Sequence, residues 1–282
     1  MLKNLLKKLL GEPLATTAIT HERLTNLQGL AIFGADALSS TAYATEEILL
    51  VLATAGAALS TVSIPIALSI FGLILLVSIS YHQVIHAYPQ GGGVYNVAKK
   101  NLGEYPALIG AASLLIDYIL TAAVSTTAGI AAITSAFPFL YPHRVTLGII
   151  IIILLMWINL RGVRESGKIF STPTYIFIGS FFLMIGYGGW RYFQGTFPVA
   201  TPSTTALPAI GALGILLFLR AFAAGCTAMT GIEAVSNGIQ AFKTPESKNA
   251  AGTLKRMAIL LGTIFLSITI LAHLGKIIPI AN

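Results

Sequence analysis

Seven stretches of this chain are apolar for long enough to cross a hydrocarbon layer, which takes about 20 residues of helix. They run approximately Leu27–Thr54, Pro65–Tyr88, Ala107–Phe137, Val145–Asn159, Pro173–Trp190, Ala209–Ala241 and Met257–Lys276. The loops between them are too short to hold a soluble domain. Backbone polar groups in lipid must bond within their own segment, so runs of this length predict helices. The composition agrees: 10% of the residues are charged, against about 25% in soluble domains. An all-α polytopic membrane protein is therefore expected. Its transmembrane domain occupies 27–276, after a cytoplasmic amphipathic segment (1–26) and before an extracellular end (277–282).

The opening Met-Leu-Lys-Asn-Leu-Leu-Lys-Lys-Leu-Leu has an apolar run too short and too interrupted by lysine for a signal peptide, and reads as a helix on the membrane surface. Lysine and arginine set the orientation. Thirteen of them fall in loops on the amino-terminal side, three on the other, and Arg220 lies within a span. The amino terminus is thus expected in the cytoplasm, and the net charge of +7 reports orientation rather than a nucleic-acid partner. One cysteine, Cys226, excludes an internal disulfide framework and reads as a packed thiol.

The first span is interrupted by Gly34-Ala-Asp-Ala-Leu-Ser-Ser-Thr-Ala-Tyr-Ala-Thr-Glu-Glu47. A carboxylate inside a span is costly and is by default a site hypothesis. The small, helix-weak residues around Asp36 predict a break near Asp36–Ser40 that would expose carbonyls beside the carboxylate, an oxygen-rich setting for a hard cation. In the third span, Asp117, Thr121 and Ser125 recur every four residues, which turns each about 40° from the last and forms one stripe. The hydroxyls can satisfy themselves on carbonyls one turn back; Asp117 needs a partner, a cation or a proton. The sixth span repeats the device in Gly225-Cys-Thr-Ala-Met-Thr-Gly231, followed by Glu233. A break at Cys226–Gly231 would free carbonyls and aim the amino-terminal dipole of an inner half-helix at the site. Glu233 reads either as a coupling acid or as the partner of a cytoplasmic lysine. Arg220 could pair with Glu46 or Glu47 as an outer gate or as a static bridge. The loop Tyr88-Pro-Gln-Gly-Gly-Gly-Val-Tyr lacks the Lys-Ser or Lys-Thr of a phosphate loop and reads as a close-packed connection.

Broken spans in corresponding positions of two halves are the signature of an inverted-repeat transporter with its site at mid-membrane. Here a resemblance adds to the residues. Asp36-Ala-Leu-Ser-Ser-Thr-Ala-Tyr-Ala-Thr-Glu-Glu, Pro89-Gln-Gly-Gly-Gly, Asp117-Tyr-Ile-Leu-Thr and Thr230-Gly-Ile-Glu-Ala-Val-Ser-Asn-Gly-Ile-Gln-Ala-Phe-Lys resemble the KimA-type potassium importers of the amino acid–polyamine–organocation (APC) permease superfamily. The resemblance implies a LeuT-like core with helices one and six discontinuous, and proton-coupled uptake of potassium across the cell membrane. It implies a cation path lined by Asp36, Tyr43, Asp117, Thr121, Ser125 and Thr230, with potassium at Asp36, Asp117 and Thr230. Glu233 would carry proton coupling, and Arg220, Glu46 and Glu47 would gate. No cofactor is implied beyond the transported potassium and the coupling proton; the partners are the bilayer, a small cation and, as one option, a second copy in a homodimer. A core of this kind has ten spans, so this chain is expected to be truncated after the seventh, with an incomplete second repeat.

Two other readings stand beside this one. An amino acid or amine permease of the same superfamily would hold its substrate on the broken backbones, though an acidic pair opposes a substrate carboxylate there. An inactive truncated fragment or assembly partner would transport nothing. An enzyme is disfavoured, because no nucleophile–base pair or metal-ligand cluster falls on any span.

Overall fold

A computed structural model describes residues 23–53, 62–160, 163–200 and 214–277. The helices, in order, are α1 (Asn26–Ala53), α2 (Ser63–Ala87), α3 (Gly93–Leu102), α4 (Glu104–Ala136), α5 (Arg144–Leu160), α6 (Val163–Phe193), α7 (Gly214–Gly225), α8 (Ala234–Asn237) and α9 (Glu246–Leu274). Among the described residues, five segments are long and apolar enough to cross a membrane: Ser63–Ala87, Glu104–Ala136, Pro138–Leu160, Ile169–Phe193 and Glu246–Leu274; Gly214–Met229 is apolar but shorter. Helix α1 has the length, at 28 residues, but Asp36, Glu46, Glu47 and its hydroxyls dilute its apolar content. The amphipathic segment expected before Arg23 and the end beyond Ile277 lie outside the described residues.

The chain divides into two compact units. Unit 1 comprises Met1–Asp36, Tyr81–Pro173 and Glu233–Leu254; unit 2 comprises Ala37–Ser80, Thr174–Ile232 and Lys255–Asn282.

Unit 1 is built around the short strand-like entry to α1. Leu24 and Phe242 form an isolated parallel bridge, with the Leu24 N–H donating to Ala241 O at 2.7 Å and the Lys243 N–H donating to Leu24 O at 3.0 Å. Both side chains are fully buried. Phe33 stacks on Phe242 with centroids 5.4 Å apart. Two glycines permit this: a Cβ at Gly29 would strike the Phe242 ring, and one at Gly238 the Phe33 ring. Arg23 and Glu246 close the arrangement with an ion pair.

In unit 2, α1 bonds to α9 through the Thr45 and Thr269 hydroxyls at 2.9 Å. Gly225, at the end of α7, lets that helix approach the Ile48 and Ile70 side chains, which would lie 2.6 and 2.5 Å from an added Cβ. Helix α1, which carries Asp36, Glu46 and Glu47, contributes Ala37, Leu38, Ala44 and Ile48 to the core. By contrast α5 exposes Val145, Ile149 and Ile153, and α6 exposes Ile176 and Leu183. Helices that are apolar all round can face lipid; one carrying carboxylates and hydroxyls must be sheathed by protein.

The expected break at Asp36–Ser40 is not formed. Helix α1 runs through it without interruption. After Gly34 the helix contains no further glycine and no proline, so nothing there favours positive φ or removes a donor. Its hydroxyls are absorbed locally, as when Thr41 Oγ1 donates to Leu38 O at 2.7 Å. The expected break in helix six is formed. After α7 the chain narrows to a 3₁₀ turn at Cys226–Met229, Thr230 becomes extended (ψ 143°), and Gly231 adopts φ 82°. Beyond the break the chain does not form the single inner half-helix that the dipole argument needed. It forms the four-residue α8 and a 3₁₀ turn at Ile239–Ala241, so no extended macrodipole is aimed at the site. Alanine at position 231 should destabilise the protein by about 1–2 kcal/mol, the cost of holding an L-residue in the left-handed region. Unfolding in detergent measures it; an unchanged midpoint would show the turn to be relaxed.

Candidate functional site: an acidic cluster and a hydroxyl cluster

In unit 1, Asp36 of α1 and Asp117 of α4 lie close enough for their charges to interact. Glu233, beside α8, interacts electrostatically with both. The three acids come from three separate elements, and Glu233 is 8% exposed. Its Oε1 is buried without a hydrogen-bond partner among the described residues. Buried carboxylates ordinarily acquire hydrogen bonds, a counter-charge or a proton. The three concentrate carboxylate oxygens in unit 1, although among the described residues they do not converge into a ready-made metal-ligand set.

Helix α4 is polarised to suit. Thr121 is buried, and Asp117, Tyr118 and Ser125 are half-buried, while Leu115, Ile116, Ile119 and Leu120 are exposed. The stripe at spacings of four therefore lies on the inner face.

Tyr118 and Tyr81 both interact with the Glu233 carboxylate. Tyr118 is held in turn by Asn237, whose Nδ2 donates to the phenol oxygen at 3.0 Å. Asn237 is gripped by the triple-glycine loop. The Gly92 N–H donates to Asn237 O at 3.2 Å, a Cβ at Gly91 would lie 2.9 Å from that same oxygen, and one at Gly93 would collide with the Asn237 side chain. All three glycines have positive φ: 74°, 77° and 29°. Asn96 Nδ2 pins the loop by donating to Gly91 O at 2.5 Å. The loop is the close-packed connection expected of it, and what it packs on is the segment carrying Glu233.

In unit 2 the hydroxyls of α1 meet the break of helix six. Ser40 Oγ lies 2.7 Å from Thr230 Oγ1 and 3.1 Å from the Tyr43 hydroxyl. Thr230 Oγ1 also donates to Thr227 O at 3.1 Å. Because α1 is continuous, Ser40 and Tyr43 stand at i and i+3 and share one helix face. The unbroken helix thus supplies a ladder of side-chain oxygens in place of the freed carbonyls that were expected.

The proposed outer gate is not assembled. Arg220 is exposed, as is Glu46, and Arg220 makes no ion pair among the described residues.

Sequence reasoning passed over three residues of these clusters. Ser40 was legible as the i+4 neighbour of Asp36. Tyr81 and Asn237 gave no signal, since each reaches Glu233 or Tyr118 only through the packing of separate helices.

The amino acid permease family matches residues 24–280. The potassium transporter KimA of Bacillus subtilis (strain 168) is 47% identical over 265 residues, which cover 94% of this chain and 44% of KimA. The chain thus spans less than half the length of that relative. A permease family is one of transporters rather than enzymes, and the several long apolar helices make this a multi-pass membrane protein. With the match running across nearly every described residue, this chain belongs to the amino acid permease family.

Proposed function

We propose that this chain is part of a secondary transporter that takes up potassium, driven by the downhill entry of a proton. The observation that carries the proposal is the electrostatic coupling of Asp36, Asp117 and Glu233, whose like charges favour a cation or a proton beside them. Potassium takes oxygen ligands, as hard cations do, and Asp36, Asp117, Thr121 and Ser125 offer them within unit 1. The resemblance gives Tyr43 and Thr230 the same cation-handling role. Glu233, with a buried oxygen unpartnered among the described residues, is the group proposed to carry the coupling proton. The name of the Bacillus relative, a potassium transporter, supports the choice of cargo. The excess of lysine and arginine on one side supports a cytoplasmic amino terminus in the cell membrane.

The family description favours a second reading, an amino acid as cargo. A zwitterion would bring its own carboxylate towards three acids, which opposes it. Proteoliposomes holding the protein, placed in acidic or neutral medium, separate the two. Rubidium uptake that rises with an inward proton gradient, and that excess potassium but not an amino acid mixture suppresses, is the expected result. Amino acid uptake without rubidium uptake would overturn the proposal.

A further inference from the structure

The three glycines at 91–93 sit far along the chain from Asp36 and Glu233, yet they are bound to the acidic cluster through one side chain. An amide nitrogen has only hydrogens to offer, so when Asn237 Nδ2 donates to the Tyr118 oxygen that phenol must turn its own hydrogen elsewhere. The Glu233 carboxylate, which faces Tyr118, is the acceptor available. The phenol hydrogen, if turned to Glu233, continues the line that starts at Asn237 Nδ2. Its origin is held rigid from behind: the Gly92 N–H fixes the Asn237 carbonyl, and Gly91 and Gly93 leave no space for Asn237 to retreat.

Resting on the transport reading above, we propose that Asn237 is a positioning residue, clamped by the Gly91–Gly93 loop, that orients the Tyr118 hydroxyl towards Glu233. The glycine loop then owes its composition to the transport site rather than to the turn between α2 and α3 alone. A side chain at 91 or 93 would both strain a positive φ and push Asn237 out of line.

The test is a double-mutant cycle on rubidium uptake by the protein in proteoliposomes. Asn237→Asp keeps the volume and the backbone contact with Gly92 but removes the donor. Asn237→Asp and Tyr118→Phe should each lower the maximal rate by about tenfold, the scale of one hydrogen bond to a charged group. The half-saturating rubidium concentration should change by less than about threefold, and the double variant should be no slower than either single one, because both break the same chain of bonds. Gly91→Ala, which presses on the Asn237 carbonyl, is the second variant should Asn237→Asp fail to fold, and it should show the same non-additivity with Tyr118→Phe. Losses that multiply to about a hundredfold in the double variant, or a full rate in Asn237→Asp, would overturn the inference while leaving the transport reading intact. Absence of uptake by the unaltered protein would instead overturn the transport reading, and this inference with it.

Discussion

Asparagine at position 117 is expected to abolish rubidium uptake while leaving the protein folded and inserted in the membrane. The substitution keeps the shape of the side chain and deletes its charge. A unit charge about 4 Å from a monovalent cation, at an effective dielectric of about 20, contributes roughly 4 kcal/mol. Losing it weakens binding by about a thousandfold. The hydroxyls of Thr121 and Ser125 lie on the same inner stripe, but neutral oxygens cannot replace that attraction. Asp36→Asn should behave alike, since Asp36 and Asp117 act on one another and on Glu233. Folding should not suffer: removing one of several like charges relieves repulsion. Rubidium uptake in proteoliposomes, with size-exclusion profiles as the folding control, reads both effects. A zwitterion held by backbone groups would tolerate at least one of the two changes. Undiminished uptake by both variants would show that the cation is held elsewhere.

Alanine at Phe242 should produce the largest loss of stability among single substitutions in unit 1, about 3–5 kcal/mol. The ring is fully buried, stacks on Phe33 and fills the space that Gly29 leaves for it. Its removal opens a cavity that the bridged backbone of Leu24 and Phe242 prevents from collapsing. Phe193→Ala is the matched control, because that ring is 89% exposed and its loss should change stability by no more than about 0.5 kcal/mol. Chemical denaturation in detergent gives both values. A deficit below about 1 kcal/mol for Phe242→Ala would mean the neighbouring rings repack into the gap. The consequence reaches the site, since Phe242 anchors the same segment that carries Glu233 and Asn237.

What the residues determined alone was the class of protein and the identity of its chemical groups. Long apolar runs have one solution in lipid, so the helices followed from length and hydropathy. The break in helix six was equally legible, because Gly231 supplies the positive φ that a sharp exit from the helix requires. The acids Asp36, Asp117 and Glu233 stood out because charge inside a span is costly enough to mark itself. Helix one stays continuous, against the expected break, for a physical reason. Small and hydroxyl residues weaken a helix only mildly, and burial among other helices decided the balance in favour of continuity. Tertiary structure alone decided who meets whom. The pairing of Asp36 with Asp117, the bond from Asn237 to Tyr118 and the grip of Gly91–Gly93 on Asn237 join residues that are 81, 119 and about 145 positions apart. Local pattern reports the face a side chain occupies on its own helix; the partner across the gap depends on how separate helices pack, and that is a property of the whole fold.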